Sequence, residues 1–166
     1  DIGLLLLQSQ GSIDDVLIHD KWIQEHEGQD WLIKEIRLFQ SRTLRKLDNM
    51  AKSMFALIEE GSCFAGSLFE MVLSADRSYM FMDDDGENCI RLTSINEGLH
   101  SMANGKSRLE MRFPADPDAV TDALAETGLI DADLAMEIGL VTDSLDDIDY
   151  EDEIRIAIEE RISLSP

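Results

Sequence analysis

Residues 53–59, SMFALIE, form an apolar run that is too short for a core helix and reads as a buried strand. Residues 2–8 form a similar run that ends in the polar sequence Gln-Ser-Gln-Gly. Between the two runs, Leu32, Ile36, Phe39, Leu44 and Leu47 recur at helical spacing behind Asp30, a fitting N-cap. That spacing predicts a long amphipathic helix over residues 31–50. Residues 12–29 are polar and mixed, and read as a loop with a short helix at 16–23. After the second run, residues 61–75 open with small residues and become helical. A strand is expected at 77–82, an acidic turn at 83–88 and a further strand at 90–95.

The rest of the chain continues the alternation. Residues 102–113 contain a small loop, Ala103-Asn104-Gly105, and then a short helix. Pro117 belongs in the first turn of a helix within 114–127. Asp131 can cap a helix that runs to Glu137 and closes at Gly139, and Leu140 and Val141 suggest a brief strand. Residues 150–163 form a final helix, with Ile154, Ile158 and Ile162 at four-residue spacing. Strands alternating with helices imply an α/β fold with a partly parallel sheet. The expected organisation is a core over residues 1–145, followed by an acidic linker and C-terminal helix over 146–166.

Charge narrows the partners. The 166 residues carry 35 acidic against 14 basic side chains, a net charge of -21. Nucleic acid and anionic membranes are poor partners for such a surface. The longest aliphatic run, Leu4–Leu7, is far below the roughly 20 residues that span a bilayer. No secretory signal is visible behind Asp1, and the start at Asp1 reads as a piece of a longer protein. Cys63 and Cys89 are not in a CxxC pair, which fits a cytoplasmic protein with reduced thiols. His19, His26 and His100 have no metal spacing, so no metal site is expected. Six basic residues lie between Lys34 and Lys52. They read as a solvated helix face, or as a dock for an acidic surface such as the chain's own C-terminal third.

Residues 61–75 hold the main chemical anomaly, a single charge, Glu70, among Phe64, Leu68, Phe69, Met71, Val72 and Leu73. A buried carboxylate must be paired, hydrogen-bonded or protonated, and desolvation raises its pKa toward general acid–base use. The plain alternative is that Glu70 reaches a basic partner or solvent. The small residues before it, Gly66 and Ser67 among them, put backbone amides at a helix start, where they either hold an oxyanion or merely allow a tight turn. Glu97, at the end of the expected 90–95 strand, is a second carboxylate that could share acid and base roles with Glu70, or an ordinary surface residue. Cys63 reads as a packing residue and His100 as a hydrogen-bonded structural one. Arg108 reads as a loop anchor paired with a carboxylate.

The stretch ALIEEGSCFAGSLFEMVLSADRSYMF, residues 56–81, resembles the central motif of the crotonase, or enoyl-CoA hydratase/isomerase, superfamily. Glu70 matches the first glutamate of that motif and Asp76 the acidic residue that closes its helix. INEGLHSMANGKSRL, residues 95–109, resembles the later segment, with Glu97 at the second glutamate, Asn96 in place of the usual proline, and Arg108-Leu109 at the closing pair. ETGLIDADLAMEIGLVTDSL, residues 126–145, resembles the helix that ends in Gly-Leu-Val. SCFAGSLFE, ADRSYM, NGKSRL and YEDEIRIAIEERISLSP are similar in particular to the benzoyl-CoA-dihydrodiol lyase family, in the C-terminal of its two crotonase-like regions.

The resemblance implies a crotonase-like (ClpP/crotonase) spiral core of short strands with flanking helices, incomplete at the N-terminus. It implies part of an enzyme that opens the ring of 2,3-dihydro-2,3-dihydroxybenzoyl-CoA to a semialdehyde CoA thioester and formate. It implies that water takes part without a redox cofactor, and that no separate cofactor is bound, since the substrate itself carries coenzyme A. The implied catalytic pair is Glu70 and Glu97, and the implied oxyanion and substrate-binding groups are Gly66 and Ser67. The implied partners are an acyl-CoA thioester, the N-terminal half of the same protein and further copies of the chain. Two departures matter. The strand at 2–8 is followed by SQGSIDD rather than an Ala-Gly-Ala-Asp-like oxyanion turn, and Ser67 stands where glycine is usual. They leave a non-catalytic scaffold or dimerisation module as a second reading; an ordinary enoyl-CoA hydratase is a third, against which the missing turn and the acidic C-terminal helix argue.

Overall fold

The computed structural model describes residues 2–83 and 85–164. Four short parallel strands form one sheet in the order β1-β2-β3-β4: Leu4–Leu7, Ser53–Ile58, Arg77–Phe81 and Asp143–Leu145. Parallel neighbours need a crossover each time. Because every new strand joins beside its predecessor, the chain winds as a spiral. The first crossover holds α1 (Ile13–His26) and α2 (Trp31–Asp48), and the second holds α3 (Gly66–Ser74). The third holds a single 3-10 turn (Ser94–Glu97), α4 (Arg108–Arg112), α5 (Pro117–Ala125) and α6 (Ala132–Glu137). After β4 comes α7 (Tyr150–Ile162).

The alternation of side chains along β2 explains its uninterrupted apolar sequence. Ala56 and Ile58 join Phe64, Phe69, Val72, Met80, Ile130 and Leu140 in the larger core. Phe55 and Leu57 point the other way and pack with Tyr79, Tyr150, Ile154 and Ala157. A strand covered on both faces reads as a continuous apolar run, as parallel strands do. The acidic C-terminal helix α7 is therefore the cover of the second sheet face. Ile154 is buried and Ile158 partly buried, but Ile162 is 55% exposed, so the four-residue stripe runs off the edge of the sheet.

Several boundaries differ from expectation for local reasons. Residues 13–26 form one full helix, because Ser12 caps it by accepting the Asp15 N–H. The strand expected at 90–95 is reduced to isolated bridges at Ile90 and Arg91. Thr93 and Asn96 form a reciprocal capping box that turns the chain into the 3-10 turn. Leu140 and Val141 are buried core residues, and the brief strand starts after them at Asp143. Of the acidic turn at 83–88, Asp84 lies outside the described residues, as do Asp1, Ser165 and Pro166 at the ends. On α2 the buried positions are Ile33, Ser41 and Leu44, whereas Leu32, Ile36 and Phe39 are exposed.

Candidate functional site

The site is built where α3 begins. Behind β2 the chain passes through a glycine turn and enters α3 at Gly66, whose φ of +45° suits glycine. The N-cap Ala65 has no side chain that can satisfy the first amides of α3. Other elements do so. The Gly66 N–H donates to the Arg91 carbonyl at 3.0 Å. The Ser67 N–H donates to Asp20 Oδ2 at 2.8 Å, and the Ser67 hydroxyl donates to Asp20 Oδ1 at 2.6 Å. Asp20 comes from α1 and is 5% exposed. Burial holds its carboxyl above the usual range, against the two hydrogen bonds from Ser67, which pull it down. A Cβ added at Gly66 would lie 2.3 Å from Asp20 Oδ2, so only glycine lets this carboxylate approach.

Glu70 lies one turn further into α3 and is 2% exposed. Its Oε2 accepts from Arg108 Nη1 and its Oε1 from Asn96 Nδ2, each at 2.7 Å. Arg108 also clamps Asp48 of α2 through Nε and Nη2 at 2.7 Å, and donates to the His100 carbonyl. Two carboxylates thus share one fully buried guanidinium. Burial raises the Glu70 pKa, the bonds from Arg108 and Asn96 lower it, and the charge of Asp48 raises it again. His100 Nδ1 hydrogen-bonds the Ser41 hydroxyl at 2.8 Å. Burial first, and then the charges of Arg37 and Arg108, push its pKa down to about 4, so the ring is neutral at pH 7. His100 and Arg108 are the structural residues that the sequence indicated.

Glu97 sits elsewhere. It is exposed at the end of the 3-10 turn and lines a groove of about 470 Å³ with Asp20, Lys21, Arg91 and Glu126. Glu70 does not line that groove, and both of its oxygens are engaged. Asn96 links the two glutamates, as the neighbour of Glu97 in sequence and the partner of Glu70 in space. Gly66 and Ser67 do come together at the start of α3, with their amides already satisfied. Cys63 is buried and gives its backbone N–H to Ser9 Oγ.

Three participants carried little sequence signal. Asn96 stood out only as a replacement for proline. Asp48 sits at the end of α2 and lies outside the apolar pattern of that helix. Nothing local marks Asp20. On the basic face of α2, Arg37 pairs with Glu27, Arg42 with Glu35, and Arg45 bonds Ser101, and none of these partners lies in the acidic C-terminal third. Among the described residues no group of three or more His, Cys, Asp or Glu is placed to hold a metal, and no helix is long and apolar enough to cross a membrane.

No protein-family model matches the chain. It is 42% identical over 167 residues, along its whole length, to the benzoyl-CoA-dihydrodiol lyase of Aromatoleum evansii, and it spans 30% of that protein. An enoyl-CoA hydratase/carnithine racemase from Magnetospirillum magneticum superposes with a TM-score of 0.67 at 16% identity, covering 99% of this chain and 59% of that one. An enoyl-CoA hydratase from Bacillus halodurans gives 0.64 at 16% identity, covering 99% and 64%. The spiral sheet with its flanking helices is thus a crotonase-like fold, and along its whole length the chain is a relative of a segment of benzoyl-CoA-dihydrodiol lyase.

Proposed function

We propose that this chain is part of a CoA-thioester lyase that opens the ring of 2,3-dihydro-2,3-dihydroxybenzoyl-CoA to a semialdehyde thioester and formate. The observation that carries the reading is the whole-chain identity of 42% to a benzoyl-CoA-dihydrodiol lyase, on a crotonase-like fold. The reaction adds water and is redox-neutral, so the reading includes no redox cofactor. The substrate brings its own coenzyme A. The N-terminal half of the same protein and further copies of the chain are its partners, in the cytoplasm.

Within that enzyme the chain acts as the supporting half. An acyl-CoA reaction of this kind needs free amides aimed at the thioester oxygen, because the developing enolate is stabilised mainly by such donors. The amides of Gly66 and Ser67 are both spent inside the protein. Glu70 is a positioning residue that ties α3 to the 3-10 turn through Asn96 and to α4 through Arg108. A catalytic role for this half has one supporting observation: Glu97 is exposed in the groove beside Arg91. In that second reading Glu97 moves the proton, Glu70 holds the turn, and Gly66 and Ser67 bind the carbonyl.

Glu97→Gln and Glu70→Gln in the full-length protein decide between the readings, with turnover of the dihydrodiol thioester as the assay. The expected result is near-normal turnover for Glu97→Gln, and for Glu70→Gln a loss no larger than its loss of folded protein. Near-complete loss in Glu97→Gln with folding and assembly intact would make this half catalytic. Absence of turnover in the unmodified full-length protein would remove the lyase reading itself.

A further inference from the structure

We infer that Asp20 is a built-in anion that occupies the carbonyl-binding position at the start of α3, so this half is closed to a thioester by its own side chain. Three features meet there. The carboxylate comes from α1, a different element, yet it is 95% buried and engages the Ser67 N–H and hydroxyl with its two oxygens. Helix α3 has no capping side chain of its own, so the incoming carboxylate takes the position an external anion would take. Gly66, with positive φ and 2.3 Å between a would-be Cβ and Asp20 Oδ2, is a cradle that any other residue would fill.

An enolate oxygen and a carboxylate oxygen ask for the same donors. Ser67 cannot serve both with one N–H, and Asp20 is covalently present at high effective concentration. A substrate oxygen would also have to approach a resident carboxylate, which repels it. Closure of this half therefore does not depend on the absence of another oxyanion turn. The inference deepens the supporting-half reading and rests on it for its meaning, but its test needs no turnover.

The test is hydrogen–deuterium exchange at the start of α3 in the full-length protein, comparing the unmodified chain, Asp20→Asn and Asp20→Ala, each with sodium acetate or with sodium chloride at equal concentration. Asp20→Ala vacates a space shaped for a small carboxylate. Its Ser67 amide is expected to exchange at least about tenfold faster in chloride, since a capping interaction is lost. Acetate should restore the protection in a saturable way. The unmodified protein and Asp20→Asn, whose amide oxygen still fills the position, should not respond to acetate. Should Asp20→Ala fail to fold in chloride, recovery of folded protein in acetate but not in chloride supports the inference. Unchanged Ser67 exchange in Asp20→Ala overturns it, as does a deprotected or unfolded Asp20→Ala that acetate does not restore. Either failure leaves the lyase reading standing, whereas absent lyase turnover leaves this result untouched.

Discussion

Replacing Arg108 with methionine removes the cation that two buried carboxylates share. The guanidinium is fully enclosed and makes four hydrogen bonds of 2.7 Å, two to Asp48, one to Glu70 and one to the His100 carbonyl. Methionine keeps much of the volume and none of the donors. Glu70 would keep the bond from Asn96, and Asp48 would lose both of its bonds to the guanidinium and keep only the longer one from the Ser74 hydroxyl. Breaking a buried pair from one side costs about 3–5 kcal/mol, because the remaining charge stays desolvated. Glu70→Gln is a milder change. It removes one of two negative charges that share one positive charge, but its oxygen can accept from only one of Arg108 and Asn96 while its NH₂ faces the other donor, a net cost of about 1–2 kcal/mol. Adding Glu70→Gln to Arg108→Met removes a stranded charge, so the double variant should lose less than the sum of the two. Amide exchange in α3 and the 3-10 turn of the full-length protein reads the loss locally. At about 1.4 kcal/mol per tenfold, Arg108→Met should speed exchange there by roughly a hundredfold to several thousandfold. A change below about tenfold for Arg108→Met, or strict additivity in the double variant, would refute the coupling of Glu70 to Arg108.

Ile154→Ala should cost about 2–4 kcal/mol by opening a cavity under α7, and Ile162→Ala less than about 1, since its side chain is mostly in solvent; urea denaturation of the two variants compares them. Asn88 donates through Nδ2 to the carbonyls of Ile58 and Phe81, joining the ends of β2 and β3. Asn88→Ala strands both and should cost about 2–3 kcal/mol, visible as faster exchange at those strand ends and absent at β1. His100 has a folded-state pKa of about 4 against an ordinary 6.5. Its neutral form is the one the fold accepts, so its contribution is fully present above pH 6.5 and is lost as pH falls toward 4. The loss approaches about 3 kcal/mol. In stability measured against pH, His100→Gln should flatten that segment, and an unchanged slope would show that His100 is not buried neutral.

The alternation of SMFALIE-type runs with helical periods determined the fold class without further help, because a strand covered on both faces must be apolar throughout and a helix on a sheet must be amphipathic. The local caps at Asp30 and Asp131 were likewise written in the sequence, since each side chain acts within a few residues of itself. The motif around Glu70 was legible as an anomaly for the same reason: a lone charge in fifteen residues has to be answered by something. What answers it was not legible. Asp48, Asn96 and Arg108 lie 22, 26 and 38 positions away from Glu70, and only the winding of the spiral brings them to one point. The apolar pattern of α2 pointed to Leu32, Ile36, Phe39, Leu44 and Leu47 as its inner face; Leu44 is buried, yet Leu32, Ile36 and Phe39 are exposed, and the inner face also carries Ser41 and Asp48, which meet the polar His100 and Arg108. Asp20 is the extreme case. It reads as one acid among 35, and it acquires a role only because α1 crosses the start of α3 at a glycine, where a carboxylate can replace the missing cap.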